Sequence, residues 1–491
     1  MGTLTTDFSR VSQSDADTAF ELPESGNEPR VAVHTLGCKL NYSEGDTISR
    51  QFINRGYRLV EFDNEAEVYV INTCSVTDHA DRKCKNLVKQ ARRCSPHARV
   101  VVTGCFAQLQ PGAVAQIPGV DLVVGGADKF RILQKLNMKD FRGSTVDIHH
   151  GETRTLTTFE PSWSQGNRTR SFLKVQDGCD YSCTFCTIPG ARGASRSGDP
   201  EDLLRQARDL VASGVREIVL TGVNTGDYGW KGGDLNRGPV RPLGNFGDLM
   251  ERLADESGVE RLRISSIEPN LLTDRIIQLM ASHPRIMPHV HMPLQSGCDL
   301  LLARMKRRYR SAAYANRVQA VRSAMPHACI GLDVIVGFPG ETDRIFTETH
   351  DFINELDVSY LHVFTYSERP GTEAAEMKGR VPNGRRSDRN RLLTHLGQRK
   401  RVDFAQTHLG SVRPVLFEQE RKGGLMQGYT DNYLRVAVPY DPLWVNRIMP
   451  IELSSVESDG SILCEAVPVD RFEAVFTPTH RIEYLSDQKL F

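Results

Sequence analysis

The 491-residue sequence predicts an α/β protein in three parts: an N-terminal open parallel-sheet domain over 29–145, a central incomplete TIM-like (β/α)6 barrel over 165–403, and a small C-terminal β-barrel over 406–475. Three observations carry that reading. Short β-rich apolar runs alternate with helical-period runs from about residue 30 to 124. The alternation resumes at Phe172 and continues for about six units to Thr365. After Arg401 only short β runs remain, divided by Gly- and Asp-rich turns. Residues 1–28 are polar and acidic without periodicity and are expected to form a disordered tail.

In the first domain, strands are expected over 31–36, 68–72 and 100–103, helices over 43–55 and 81–93, and a further strand over 121–124. Such an order builds a mostly parallel sheet. Cys38, Cys74 and Cys105 each stand just beyond the carboxyl end of one of the three main strands, in Leu-Gly-Cys-Lys, Asn-Thr-Cys-Ser and Thr-Gly-Cys-Phe. Loops at that edge of an α/β sheet converge on one crevice, so the three thiols are expected to meet in space. Ordinary burial is the alternative for each. It suits Cys84 and Cys94, which lie in or at the end of a helical stretch, and the solitary Cys298, Cys329 and Cys464.

In the barrel, Asp199-Pro200 caps and starts a helix whose Leu203, Leu204, Ala207, Leu210 and Val211 share one face, and Gly214 ends it. Strands are expected over 172–176, 217–220, 261–265, 290–294, 330–336 and 360–365. Barrel active sites lie at the carboxyl ends of the strands. Those ends carry the loop with Cys179, Cys183 and Cys186, then Thr221-Gly222, Glu268, Gln295-Ser296 and Gly337. Three thiolates in a CxxxCxxC run can hold three irons of a [4Fe–4S] cube, whereas a closed structural cluster uses four. The open fourth position marks chemistry rather than scaffolding. A zinc knuckle would need a fourth Cys or His close by, and none follows before Gly193. A disulfide framework suits short secreted chains.

The C-terminal strands are expected over 414–418, 434–438, 451–453 and 462–466. Between them, Gly-Tyr-Thr-Asp-Asn-Tyr offers Tyr429 and Tyr433 either to stack on nucleic-acid bases or to fill the barrel.

With 61 basic and 61 acidic residues there is no global field to attract nucleic acid, so any such contact has to be local. Basic residues concentrate at 304–310 and again at 380–401, each run a candidate for phosphate or a solvated face. No stretch approaches the about eighteen uninterrupted apolar residues of a membrane span. The first residues have no basic start or apolar core, so no secretory signal is expected, and the free thiols point to a reducing cytoplasm.

The two cysteine triplets stand together with Glu217-Ile-Val-Leu-Thr-Gly-Val-Asn224, His291-Met-Pro-Leu-Gln-Ser-Gly297, Asp333-Val-Ile-Val-Gly-Phe-Pro-Gly-Glu341 and Tyr366-Ser-Glu-Arg-Pro-Gly-Thr372. With these motifs the chain resembles the methylthiotransferase family of radical S-adenosylmethionine (SAM) enzymes, from about residue 30 to 475. The resemblance implies two [4Fe–4S] clusters, one on Cys179, Cys183 and Cys186 whose open iron chelates SAM, and one on Cys38, Cys74 and Cys105 that carries the sulfur to be inserted. It further implies a radical generated from SAM that activates an inert C–H bond. Phe185 fits the family pattern, and the resemblance assigns Thr221, Gly222, Glu268, Gln295 and Gly337 to SAM. Turn-forming or capping roles stand as alternatives for Glu268 and Gly337, and His291 reads as a satisfied core histidine. Gly190 departs from the family pattern, which has a bulky aromatic there. The last domain resembles the RNA-binding TRAM module.

Within the family, His34-Thr-Leu-Gly-Cys-Lys-Leu-Asn41 and Gly428-Tyr-Thr-Asp-Asn-Tyr433 look most like the branch that acts on N6-threonylcarbamoyladenosine at position 37 of tRNA. The alternatives are isopentenyladenosine in tRNA, an aspartate of ribosomal protein S12 and, in another class, an RNA-binding protein with structural metal sites. An electron donor and a sulfur source are implied without being identified. Because the threonylcarbamoyl group carries a carboxylate, Arg192 and Arg369, near the expected barrel mouth, are the candidates to bind it, with a surface or loop-fixing role as the alternative for each.

Overall fold

The computed structural model describes residues 28–74, 78–137, 146–153, 156–164, 169–230 and 241–464. The expected tail over 1–28 lies almost wholly outside the described residues.

The first domain is a six-stranded, all-parallel sheet in the order Arg58–Val60, Arg30–Thr35, Val68–Thr73, Arg99–Gly104, Leu122–Val124, Asp147–His149. Its central Val68–Thr73 strand is buried along its whole length, as a parallel strand covered on both faces must be. The helices Lys39–Ile53 and Asp78–Cys94 connect successive strands. The two outer strands, Arg58–Val60 and Asp147–His149, are not expected from sequence. Each has three residues and none of them is buried, which leaves almost no apolar alternation to see.

The barrel has its six parallel strands in sequence order, but as two halves. Arg170–Lys174, Glu217–Thr221 and Arg261–Ile264 form one sheet, and His289–Gln295, Cys329–Val336 and Tyr360–Thr365 the other. Among the described residues an isolated parallel bridge, Leu262 to Ile286 just ahead of His289–Gln295, links them. Between the first and last strands the barrel stays open among the described residues. The outer helices begin where their sequences say: Asp199 accepts from Glu201 N–H, Thr273 from Ile276 N–H and Thr342 from Ile345 N–H, and Asn245 with Asp248 forms a capping box. Their apolar faces and the strands make one continuous core that includes Leu203, Leu220, Met250, Ile264, Leu294 and Val334.

The C-terminal unit is a six-stranded sheet, antiparallel except for one pair, in the order Ile448–Glu452, Val412–Lys422, Leu425–Thr430, Arg435–Pro439, Ile462–Leu463, Ser455–Val456. Leu425–Thr430 is a strand that the sequence does not announce, because its Gly428 weakens the strand signal. That glycine is needed, since a Cβ there would lie 2.6 Å from the Leu416 carbonyl oxygen. The expected last strand extends beyond the described residues. Arg261 donates to the carbonyls of Tyr429 (3.1 Å) and Pro414 (2.6 Å), and Arg170 pairs with Glu418 at 2.9 Å, so the sheet is seated at the amino ends of the first barrel strands.

Candidate active site

Three neighbouring strands of the first domain each hand the chain to a cysteine. Cys38 stands just before Lys39–Ile53, Cys74 follows Thr73, and Cys105 opens the short helix Cys105–Leu109. The loops touch because of glycine. Gly37, at φ 105°, passes so near the second loop that a Cβ there would lie 2.7 Å from Cys74 Cβ and 3.0 Å from its Sγ. Asn41 Nδ2 ties two of the loops by donating to the carbonyls of Leu36 (2.8 Å) and Thr73 (3.0 Å). Cys105 is buried, which raises its thiol pKa. Arg192 and Lys129 pull it back, and Cys38 and Glu44 raise it again.

The second triplet sits in the loop after the first barrel strand, and all three thiols are half-buried. Tyr181 N–H donates to Cys179 Sγ at 3.4 Å, and the Arg307 guanidinium donates to Cys183 Sγ at 3.2 Å. Burial pushes the Cys186 thiol up to about 12 and raises Cys179 further, and the neighbouring cysteines add mutual repulsion. Thiols raised by burial, as Cys179 and Cys186 are, ionise when a multivalent metal centre binds them. In chemistry and number each donor set fits a [4Fe–4S] cluster with one position free of cysteine. In the adjoining loop after Glu217–Thr221, both polar side-chain atoms of Asn224 are buried without a hydrogen-bond partner among the described residues. An unsatisfied buried amide in a loop beside the cysteines is what a polar ligand such as SAM would complete.

The residues expected to contact SAM fall at the barrel's carboxyl end in different states. Thr221 and Gly222 border a cavity of about 690 Å³. Glu268 has its carboxylate engaged by the buried Arg307. Gln295 takes a left-handed conformation, φ 68°, where the register shifts after Pro293. Gly337, φ 81°, gives its N–H to Glu341 at 2.6 Å, and Arg386 fills the space where a side chain would stand. Phe185 meets Phe338 edge-to-face at 6.4 Å and anchors the cysteine loop to the packing around Leu301 and Met305.

The cavity runs from Gly37, Cys38 and Lys39, past Phe172 and His362 at the two open edges of the barrel, to Tyr429 and Tyr433 of the C-terminal sheet. Both tyrosines therefore wall the cavity, and Tyr433, φ 70°, stacks on His289 at 4.2 Å. His291 also lines it, as a bonded histidine: Nδ1 lies 2.8 Å from Ser266 Oγ and Nε2 3.1 Å from Asp333 Oδ1. His291, Asp333 and His362 bring one ligand atom each to within 4.8 Å of one another.

Two expectations need correction. Arg192 does not point to a substrate. It is 4% exposed and joins Glu44 (2.9 Å) and Asp177 (3.0 Å), with Asn41 Oδ1 at 2.6 Å. Lys129, Lys174 and Arg196 complete this buried network, which clamps the first domain to the barrel. Arg369 likewise pairs with Asp81 across the domains at 2.9 Å. The charge runs are also not uniform. Arg386 and Arg389 are buried against Glu368 (2.6 Å) and Glu341 (2.7 Å), whereas Arg385 and Arg391 are exposed. In the run over 304–310, Arg304, Arg308 and Arg310 are exposed, but Arg307 is buried at the cysteines. Sequence alone missed Arg307 and Asn224. The only signal for Asn224 is its place at the end of the Thr-Gly-Val-Asn motif.

Comparison with known proteins matches residues 30–125 to the Uncharacterized protein family UPF0004 and residues 173–353 to the Radical SAM superfamily. The chain is 38% identical, over 86% of its length and 93% of the relative's, to the threonylcarbamoyladenosine tRNA methylthiotransferase MtaB of Bacillus subtilis. It is 36% identical to the tRNA-2-methylthio-N(6)-dimethylallyladenosine synthase of Acidothermus cellulolyticus, over 82% of this chain and 81% of that one. Among solved structures, the radical S-adenosylmethionine methyltransferase TsrM of Kitasatospora setae shares the fold, with a TM-score of 0.52 at 13% identity over 80% of this chain and 79% of that one.

Proposed function

The chain belongs to the methylthiotransferase family of radical SAM enzymes, in its MtaB-like branch, and we propose that it adds a 2-methylthio group to N6-threonylcarbamoyladenosine at position 37 of tRNA. The observation that supports this most directly is the pair of open cysteine triplets held by domains that a buried ion network locks together, with a cavity reaching Cys38. Bound there, two [4Fe–4S] clusters and SAM supply the one-electron chemistry, the sulfur and the methyl group that carbon 2 of adenine requires.

The protein's own share is positioning. Cys179, Cys183 and Cys186 hold one cluster, and Cys38, Cys74 and Cys105 the other. Arg307 fixes the Cys183 sulfur by its N–H and balances Glu268. Thr221, Gly222, Glu268, Gln295, Gly337 and Phe185 are the proposed SAM neighbourhood, extended by Asn224. The target base has to be unstacked from the anticodon loop to enter a cavity of this size. The C-terminal sheet, as a TRAM-like unit, and the exposed arginines contribute to holding tRNA. An electron donor and a sulfur source complete the system, and a cytoplasmic setting fits all of these partners. Among the described residues no helix is long and apolar enough to cross a membrane.

Incubating anaerobically reconstituted enzyme with SAM and, separately, tRNA carrying threonylcarbamoyladenosine, tRNA carrying isopentenyladenosine, or ribosomal protein S12 tests the proposal by product mass. The expected product is methylthiolated threonylcarbamoyladenosine. Modification of isopentenyladenosine alone, or of S12 alone, would overturn the substrate and leave the reaction class standing.

A further inference from the structure

We propose that Lys39 is the specificity-determining residue of the site, its ammonium receiving the carboxylate of the threonylcarbamoyl group. The inference rests on the substrate reading above. Lys39 follows Cys38 directly and opens the Lys39–Ile53 helix, and it lines the same cavity as Cys38 and Gly37. Along that cavity Lys39 stands between the first cysteine triplet and Tyr429 and Tyr433 of the C-terminal sheet, which line it as well.

Three other cations around this space are committed. Arg170 pairs with Glu418 and stacks on Tyr429 at 4.3 Å, Arg263 is held by Glu217 at 2.8 Å, and Arg435 pairs with Asp459. Lys39 and Arg401 line the cavity with no ion-pair partner among the described residues. Arg401 is exposed on the Asn383–Gln406 helix. Lys39 is the one beside a cysteine, where anchoring the N6 substituent also keeps the adenine ring at the sulfur-bearing triplet. The field at this end is electropositive. Against burial, Lys39, Arg170 and Arg263 hold the Tyr433 phenol below its ordinary value. A carboxylate entering a half-buried cavity needs such a partner, and a hydrocarbon substituent gains nothing from it.

The test uses reconstituted full-length protein and three anticodon stem-loops whose position 37 carries threonylcarbamoyladenosine, its carboxylate methyl ester, or isopentenyladenosine. Wild type should bind the acid about ten- to a hundredfold tighter than the ester, the span of a charge-assisted bond. In Lys39→Met the acid and ester should bind alike, and Lys39→Arg should restore the preference. Iron content is measured for each variant, and the acid-to-ester ratio is insensitive to damage that weakens both ligands equally. If Lys39→Met keeps the wild-type ratio, or if Arg401→Gln abolishes it instead, the assignment to Lys39 is wrong while the substrate stands. A wild type that prefers the isopentenyl stem-loop would sink the substrate reading itself.

Discussion

At the level of single residues, the chemistry is legible where it resides in spacing and hidden where it depends on direction. The cysteine triplets can be picked from sequence because CxxxCxxC and three strand-end loops each constrain geometry by themselves. Arg307 cannot, because a basic run reports charge but not which member turns inward. It is the member of its run that meets Glu268 and Cys183. Replacing it with Gln leaves the Glu268 carboxylate without its partner and removes a donor from the sulfur. Breaking a buried pair in this way costs up to about 3–5 kcal/mol, less here because Glu268 is only partly buried. Arg307→Gln should therefore lower the melting temperature and slow reductive SAM cleavage. Arg307→Lys should recover more of the stability than of the cleavage rate, since a point charge lacks the fork that serves two acceptors. Equal recovery of both would show that only charge matters. Replacing Cys38, Cys74 and Cys105 with Ala should leave reductive SAM cleavage while ending thiolation, and replacing Cys179, Cys183 and Cys186 should end both. Methylthiolated product from the first variant would refute two separate duties.

At the level of elements, strands and capped helices are readable where the local pattern is strong. The barrel strands fall within a few residues of expectation, and Asp199-Pro200 starts its helix as its chemistry requires. The short edge strands are not readable because their pairing is decided by neighbours distant in the chain, and the Leu425–Thr430 strand, although it pairs with the strands next to it in sequence, is obscured by Gly428. The Asn383–Gln406 helix shows the same limit for function. Its arginines form one run in sequence, yet two faces in the fold. Neutralising Arg386 and Arg389 should destabilise the barrel chiefly by stranding the buried Glu341, since Glu368 is partly exposed and keeps Arg380, with little change in the salt dependence of tRNA binding. Neutralising the exposed Arg385 and Arg391 should leave stability nearly unchanged, since surface pairs contribute about 0–1 kcal/mol, and should flatten the salt slope by about one for each phosphate no longer neutralised. Binding isotherms at several salt concentrations, beside thermal melts, separate these outcomes. An unchanged slope for the exposed pair would show that this face does not meet RNA.

For the whole molecule, the order of three units is legible from the change of pattern along the chain, but their docking is not, because it depends on buried charges that each look unremarkable in sequence. Glu44, Asp177, Lys129, Lys174, Arg192 and Arg196 come from both sides of the boundary and are all buried. Burial alone would raise the two carboxyls. Arg192, Lys129 and Lys174 nevertheless hold Glu44 well below its ordinary range, and Lys174, Arg196 and Arg192 do the same for Asp177. At the seat of the C-terminal sheet, Arg263, with Arg170 and Arg261, outweighs burial and brings Glu217 down to about 2. A carboxyl whose pKa is depressed on folding stabilises the native state above its unfolded value of about 4.3 and loses that contribution as pH falls toward the folded value. Acid should therefore loosen the assembly progressively below about pH 4.3, with the Glu217 contribution gone near pH 2. Trp163 stacks on Arg50 at 4.4 Å beside the first interface and gives a fluorescence reporter of its opening. Glu44→Gln should weaken this interface even at neutral pH, by up to about 3–5 kcal/mol, because the four cations are then left with Asp177 as the network's one carboxylate and Lys129 loses its ion pair. The barrel core itself, built from apolar residues, should keep its far-ultraviolet signal under conditions where the Trp163 signal changes. Coincident loss of both signals in Glu44→Gln and in wild type at the same pH would show that the network does not act as a separable clamp, and that the two cysteine triplets are held together by the global fold instead.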